Sequence, residues 1–100
     1  MKVYNISFQI DPALELQWLE WMKNNFIPQT LASQSFSDHK LYQIEVQADQ
    51  SPTYTLQLYC DNIELWQSYQ QLHASTHLKE VQVTWGEKCY YFCTEMQIVN

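Results

Sequence analysis

A repeated run of alternating apolar residues is the feature that most constrains how this chain can fold. The pattern Tyr4-x-Ile6-x-Phe8-x-Ile10-Asp11 returns fifty positions later as Tyr54-x-Leu56-x-Leu58-x-Cys60-Asp61. Alternate residues of a β-strand share a face, so four apolar residues at this spacing indicate one buried face. The Asp that follows can accept hydrogen bonds from the free N–H groups of a helix's first turn. The sequence therefore predicts two units, each a strand that leads into a helix.

Each unit is followed by a further predicted strand, which gives the order β-α-β-β-α-β. This order is that of the ferredoxin-like α+β fold, in which helices cover one face of a four-stranded antiparallel sheet. The predicted strands cover about residues 2–10, 40–47, 54–60 and 89–96. A chain of 100 residues can bury one core, so we expect residues 1–100 to form a single domain.

The helices are predicted from caps and apolar stripes. Helix one should begin at Asp11-Pro12 and end near Asn25, with Pro28 beyond it and a loop over residues 29–38. Asp61 and Glu64 have the spacing of a capping box, which predicts the start of helix two. The stripes expected to pack on the sheet are Leu14, Trp18, Trp21 and Met22 in helix one, and Leu65, Tyr69, Leu72 and Thr76, flanked by Trp66 and His73, in helix two. Trp85 could cover a pocket mouth or join a subunit contact.

The sheet face away from the helices is predicted to be polar and mostly uncharged. In strand two we expect Tyr42, Ile44 and Val46 to point inward, and in strand four Tyr90, Phe92, Thr94 and Met96. The opposite face is then lined by Asn5, Ser7, Gln9, Gln43, Glu45, Thr55, Gln57, Tyr59, Tyr91, Cys93 and Glu95. Such a face can be solvated, can pack on a second copy of the chain, or can bind a small ligand.

Composition excludes several classes of function. The net charge of −6, with five Lys and no Arg, argues against a nucleic-acid partner, which requires a basic surface. A single glycine, Gly86, excludes glycine-rich phosphate loops. Neither a signal-peptide core nor an apolar run near the ~20 residues of a membrane span is evident. With only three cysteines, we expect a cytoplasmic protein without a membrane partner.

Candidate catalytic and metal-binding groups are sparse. His73 and His77 have the helical spacing of a metal-binding pair, and Glu80 could extend it, but two His residues bonded to backbone or water are the commoner case. Cys93 has no His placed by sequence to activate it, so a structural thiol is expected. Glu45 and Glu95 could act as a general base if they were desolvated, and otherwise are solvated carboxylates. We therefore expect neither a metal nor a cofactor.

Several motifs together resemble an uncharacterised bacterial family of domains of unknown function. They are Asp11-Pro12, Trp18-Leu19-Glu20-Trp21-Met22, Ile27-Pro28, Asp61 with Trp66-x-x-Tyr69, and His73-Ala74. That family is similar in plan to dimeric α+β barrel proteins, which include antibiotic-biosynthesis-type monooxygenases and in which two sheets pack face to face. Their His-x-x-Thr-x-His pattern is one residue shorter here, and Ser33-Gln34 stands where a Thr-Gly pair is expected. The resemblance implies a fold and a homodimer but no reaction.

Two functions from different classes are consistent with the sequence. The favoured one is a homodimeric module that binds a small molecule or another protein, with its dimer contact on the polar sheet face. The alternative is a cofactor-independent monooxygenase or isomerase that holds a small aromatic substrate between helix two and that face. The residues expected to reach a ligand are Tyr59, His73, Tyr91, Glu45 and Glu95. The first is favoured because these residues include no matched acid, base and nucleophile.

Overall fold

Four antiparallel strands form one sheet in the computed structural model, which describes residues 1–99. The strands are β1 (Lys2–Ile10), β2 (Asp38–Ile44), β3 (Thr53–Cys60) and β4 (Cys89–Gln97). Their spatial order is β2-β3-β1-β4, with every neighbouring pair antiparallel. The predicted ferredoxin-like arrangement is confirmed.

Two long helices connect the strands, and each contains one π-helical turn. Helix α1 covers residues 12–32 as a 3₁₀ turn (Pro12–Leu14), an α segment (Glu15–Trp21), a π turn (Met22–Phe26) and a second α segment (Ile27–Ala32). Helix α2 covers residues 63–85 as Ile63–Tyr69, a π turn at Gln70–Ala74, and Ser75–Trp85. Over the described part of the chain, no helix combines the length and apolar character needed to cross a membrane.

The core lies between the two helices and one face of the sheet. Strand β1 is central, and its Ile6 is the register partner of Leu56 on one side and Cys93 on the other. The repeated apolar runs supply most of this face: the buried residues are Tyr4, Ile6, Phe8, Ile10, Tyr54, Leu56, Leu58 and Cys60. Trp18, Met22 and Phe26 of α1 pack against them and are almost fully buried. Each such apolar side chain contributes roughly 1.5–3 kcal/mol of burial free energy.

Helix α1 begins as predicted and ends later than predicted. The Asp11 carboxylate accepts a 2.9 Å hydrogen bond from the Ala13 N–H, and Pro12 occupies the first turn. The predicted end near Asn25 is wrong, because the helix continues to Ala32. Pro28 does not stop it, since it follows the wider π turn and sits in the first turn of the next α segment, where a missing N–H is tolerated.

The end of α1 depends on an unusual backbone conformation at Gln34. Its φ is 61°, in the left-handed region that favours glycine, and its N–H donates to the Leu31 carbonyl at 3.0 Å. The family resemblance predicts glycine at position 34, and the positive φ observed there explains why glycine suits this position. Ser35 and Phe36, which follow Gln34, are buried, so the connection from α1 to β2 packs against the core.

The predicted start and buried stripe of helix α2 are both wrong in detail. The N-cap is Asn62, whose side-chain oxygen accepts a 2.8 Å hydrogen bond from the Leu65 N–H, whereas Asp61 accepts one from the Ser37 hydroxyl. The buried residues are Trp66, Tyr69, His77 and Val81, while Leu65 and Leu72 are exposed. The π turn adds one residue to a helical turn and so shifts the residues after it around the helix axis. Apolar residues also lie on two sides of α2, so the sequence pattern is compatible with two different buried stripes.

The two edge strands face the opposite way from our prediction. Register pairs Ser7 with Thr55 and Phe92, which places the Tyr90, Phe92, Thr94 and Met96 set on the face away from the helices. Tyr91, Cys93 and Glu95 therefore lie on the helix side. Tyr42 and Ile44 of β2 also face away from the helices, and Leu41 packs on the core. The rule that apolar residues point inward fails here because both faces of the edge strands carry apolar side chains.

We expect Asn62→Ala to lower the free energy of unfolding by about 1 kcal/mol, because the first turn of α2 loses its capping acceptor. Asp61→Ala is the matched control, since the neighbouring carboxylate caps no helical N–H and its substitution should cost less. Urea denaturation followed by circular dichroism measures both. Equal losses in the two variants would contradict the assignment of the cap to Asn62.

Candidate functional site

A cleft of about 400 Å³ lies between helix α2 and the β4 edge of the sheet. Its lining combines a mainly apolar surface with a few polar groups, as is typical of small-molecule sites. The lining residues are Tyr4, Trp66, Gln70, Ala74, Ser75, Leu78, Cys93 and Glu95. A larger hollow of about 550 Å³ beside the β2–β3 turn is lined mostly by polar loop residues, so it is a poorer candidate.

The π turn of α2 determines which helical residues reach the cleft. Gln70, Ala74 and Leu78 are four residues apart and line one wall, together with Ser75. The turn at Gln70–Ala74 widens the helix at this wall and brings both of its end residues to the cleft. Isolated π turns are rare in proteins and often occur at functional sites, so its position supports this cleft as the functional one.

Glu95 supplies the only carboxylate among the lining residues. Its Oε1 accepts a 2.6 Å hydrogen bond from the Trp66 indole N–H, and Lys2 Nζ lies 4.0 Å from the same oxygen. The Glu95 side chain is 48% exposed, so it is reached by solvent as well as by the cleft. Trp66 is buried against Tyr4, with ring centroids 4.8 Å apart. A buried indole therefore fixes the direction of a half-exposed carboxylate.

Tyr4 and Cys93 form the second polar pair of the cleft. The Tyr4 hydroxyl donates to Cys93 Sγ at 3.3 Å. Desolvation, with a smaller contribution from the contact with Cys93, raises the pKa of Tyr4 far above its ordinary value of 10.0. Desolvation also raises the pKa of the Cys93 thiol, and the hydrogen bond from Tyr4 offsets only part of this effect. Both groups are thus neutral at physiological pH, and the pair is suited to binding rather than to nucleophilic attack.

The five residues predicted to reach a ligand do not come together. Glu95 lines the cleft. Tyr91 is on the same side of β4 but outside the cleft, and Tyr59 is on the opposite sheet face, where its hydroxyl donates to Gln57. Glu45 follows the end of β2 at the far edge of the sheet and is exposed. His73 packs against Tyr69 and His77.

His73 and His77 belong to a packed aromatic cluster within α2. Their rings stack with centroids 5.8 Å apart, and His77 Nδ1 is hydrogen-bonded to the Tyr69 hydroxyl at 2.8 Å. His77 is buried, with 5% exposure. In residues 1–99, no group of three or more His, Cys, Asp or Glu side chains is placed to hold a metal ion.

Sequence reasoning missed most of the cleft. Tyr4 was expected only to pack in the core, and Gln70, Ser75 and Leu78 were not among the residues expected to reach a ligand. The spacing of Gln70, Ala74 and Leu78 at four-residue intervals was a readable signal for a common helix face. Which element covers that face depends on the handedness and position of α2 over the sheet, and no local pattern encodes these.

The sheet face away from the helices is a second unusual surface, which we call the open face. Its residues in register are Val3, Asn5, Ser7, Gln9, Asp38, Lys40, Tyr42, Ile44, Thr53, Thr55, Gln57, Tyr59, Tyr90, Phe92, Thr94 and Met96. Large apolar side chains on the edge strands are solvent-exposed, with Phe92 at 64% and Tyr90 at 67%. Asp38 and Lys40 are its only charged residues.

Comparisons with known proteins agree with this architecture. The family model described as "Domain of unknown function (DUF4286)" matches residues 1–99. No curated protein matches the sequence.

Solved structures with similar folds have very different sequences. HapK from Hahella chejuensis has a TM-score of 0.71 at 13% identity, covering 99% of this chain and 93% of its own. A candidate antibiotic biosynthesis monooxygenase from Deinococcus radiodurans has a TM-score of 0.67 at 7% identity, covering 100% and 94%. A dimeric ferredoxin-like protein from an uncultured marine organism has a TM-score of 0.58 at 5% identity, covering 99% and 95%. At these identities the likeness shows the fold alone.

The stability of the protein should fall as the pH drops below 6.5. Burial, and then the proximity of His73, lower the pKa of His77 below its reference value of 6.5, while Glu80 opposes the shift. The unfolded chain therefore binds this proton more readily than the folded chain, so the contribution of His77 is complete above pH 6.5 and is lost below it. Urea denaturation at pH 7.5 and 5.5 should show a smaller stability loss in His77→Gln than in the wild type. An unchanged loss in the variant would contradict this role of His77.

Proposed function

We propose that this chain, which belongs to the DUF4286 family of domains of unknown function, is a single-domain, homodimeric module that binds a small molecule. The ligand occupies the cleft between α2 and β4. The observation that carries the proposal is the convergence of Glu95, Tyr4 and Cys93 on a mainly apolar cleft beside a π turn.

The cleft has the properties that a small-molecule site requires. Its volume of about 400 Å³ falls within the range of roughly 300–1,000 Å³ that is usual for such sites. Its polar groups are few and are held by buried neighbours: Trp66 holds the Glu95 carboxylate, and Tyr4 holds the Cys93 thiol. A ligand therefore meets groups that are already oriented, which reduces the entropy lost on binding.

The second copy of the chain packs on the open face. Two copies of a chain with a net charge of −6 repel each other, and the repulsion is weakest between surfaces that carry little net charge. The open face is such a surface, because the charges of Asp38 and Lys40 cancel. The face measures roughly 19 by 26 Å from strand spacing and rise per residue, or about 500 Å² on each copy, which reaches the lower end of the range for specific interfaces. Its exposed Tyr42, Ile44 and Phe92 are the kind of apolar side chains that an interface buries.

The polar centre of the open face does not oppose such packing. Ser7 and Thr55 hydroxyls are 2.6 Å apart and satisfy each other, and the Tyr59 hydroxyl donates to the Gln57 side-chain oxygen at 2.8 Å. Covering groups that already have partners costs less than covering unpaired ones. The marine protein named above is described as dimeric, which supports the same assembly here.

We place this module in the reducing environment of the cytoplasm. Cys60, Cys89 and Cys93 are free thiols. Burial raises the pKa of Cys89 to about 11, so this thiol stays protonated and unreactive.

A monooxygenase or isomerase activity is less well supported than binding. Such chemistry needs a group in the cleft that can take up a proton from the substrate. Tyr4 and Cys93 are held neutral, and the Glu95 carboxylate is about half exposed to solvent rather than enclosed in the cleft, where a general base would have to be desolvated. The Deinococcus radiodurans structure carries the name of a candidate monooxygenase, but it shares only 7% identity with this chain.

Light scattering should give the wild type a mass of twice the 12.0 kDa chain. We expect Phe92→Glu to yield a folded monomer, because it places a carboxylate in the middle of the apolar β4 edge that each copy contributes to the interface. Leu72→Glu is the matched control: Leu72 is 66% exposed and Phe92 64%, but Leu72 lies on α2, and this variant should stay dimeric. A monomeric wild type would overturn the homodimer.

Three indoles that differ in side-chain charge test the cleft: tryptamine, indole-3-ethanol and indole-3-acetate. We expect at least one to shift the backbone amide signals of residues 74–78 and 93–95 in an NMR titration. Ser75→Trp should abolish these shifts by filling the cleft, because Ser75 is exposed and lines it. Thr76→Trp is the matched control, since its neighbouring exposed side chain does not line the cleft. Shifts that persist in Ser75→Trp would overturn the assignment.

A further inference from the structure

We infer that the ligand of the cleft is a small planar aromatic molecule that carries an ammonium group. This inference rests on the proposed function, since it specifies the occupant of the same site. The charge and the aromatic lining of the cleft each support it through a separate set of contacts.

The charge of the cleft is negative. Glu95 is the only charged residue among those that line it. One carboxylate oxygen, Oε1, accepts the Trp66 hydrogen bond, whereas Oε2 receives no hydrogen bond from residues 1–99. A carboxylate oxygen with free lone pairs accepts from an N–H donor, and the bond is strongest when the donor is a cation.

Lys2 does not reverse this preference. Its Nζ lies 4.0 Å from Oε1, the oxygen that Trp66 already occupies, so Oε2 stays free for the ligand. Lys2 is not among the residues that line the cleft, and a partly exposed ion pair at this distance contributes little. An anionic ligand would instead approach Glu95 directly, on a chain whose net charge is already −6.

The lining of the cleft favours an apolar, aromatic body. Tyr4 and Trp66, whose rings are tilted by 55° to each other, form its aromatic floor, and Ala74 and Leu78 provide an apolar wall on α2. Aromatic rings attract other ring systems and also cations that lie close to them. Gln70 and Ser75 on the same wall offer neutral hydrogen-bonding groups, which tolerate a charged or an uncharged substituent. The carboxylate therefore remains the group that selects the charge of the ligand.

Isothermal titration of the wild type with the three indoles at pH 7 and low salt tests the inference. Tryptamine should bind most tightly, indole-3-ethanol less tightly and indole-3-acetate most weakly, with about a tenfold difference between the cation and the anion. Glu95→Gln should reduce this difference to about twofold or less while indole-3-ethanol still binds, because the amide keeps the shape of the carboxylate without its charge. Glu45→Gln is the matched control, since it removes one negative charge at the opposite edge of the sheet and should keep the wild-type order.

The possible failures are distinguishable. If none of the three indoles binds, the proposed function falls together with the inference. If indoles bind in the cleft but indole-3-acetate binds as tightly as tryptamine, the inference alone is overturned. A loss of discrimination in Glu45→Gln equal to that in Glu95→Gln would also overturn it, because the preference would then come from the net charge of the chain rather than from the cleft.

Discussion

The central position of β1 is the constraint on which the rest of the structure depends. Strand β1 pairs with β3 on one side and β4 on the other, so its side chains define both faces of the sheet. Its apolar set, with Ile6 and Phe8 almost fully buried, provides the surface on which both helices pack. Its alternate residues, such as Asn5 and Ser7, provide the centre of the open face. A one-residue shift of β1 would exchange these two sets, so its pattern fixes the register of the whole sheet.

Strand β4 connects the two surfaces that carry our functional proposals. Cys93 and Glu95 point to the cleft under α2, whereas Phe92 and Met96 point to the open face. Because successive side chains of a strand alternate between faces, ligand binding and dimer contact would share one edge strand without sharing a side chain. Packing a second copy on the open face would also hold β4 in place beneath the cleft. The proposed dimer is therefore expected to support the ligand site rather than to compete with it.

The π turns show how each helix adapts to what it must cover. In α1, the turn at Met22–Phe26 buries both of its end residues and precedes Pro28, so the helix continues to Ala32 and covers more of the sheet. In α2, the turn at Gln70–Ala74 brings its end residues to the cleft instead. Wide turns of this kind give up regular hydrogen bonding, which is tolerated when packing or a binding site compensates for it.

The residues of the cleft show which parts of the site the sequence pattern could predict. Glu95 was expected on the sheet face away from the helices, but it lies on the helix side, and its neighbours Tyr4 and Trp66 were expected only to pack in the core. The indole N–H of Trp66 donates a hydrogen bond to Glu95, which is 29 positions away in the sequence, and no local sequence pattern predicts this contact. The same holds for Tyr4 and Cys93, which lie 89 positions apart and meet because β1 and β4 are neighbours.

The sequence by itself determined the element order, the central strands, the start of α1 and the family, because strand alternation and N-terminal caps are local and are carried by consecutive residues. Only the tertiary structure decided which face of β2 and β4 meets the helices, where α2 places its buried stripe, and that the open face is apolar at its edges. The physical reason is that edge strands and helices with apolar residues on two sides have two compatible orientations. The choice between them is made by long-range packing, not by the residues of the element itself.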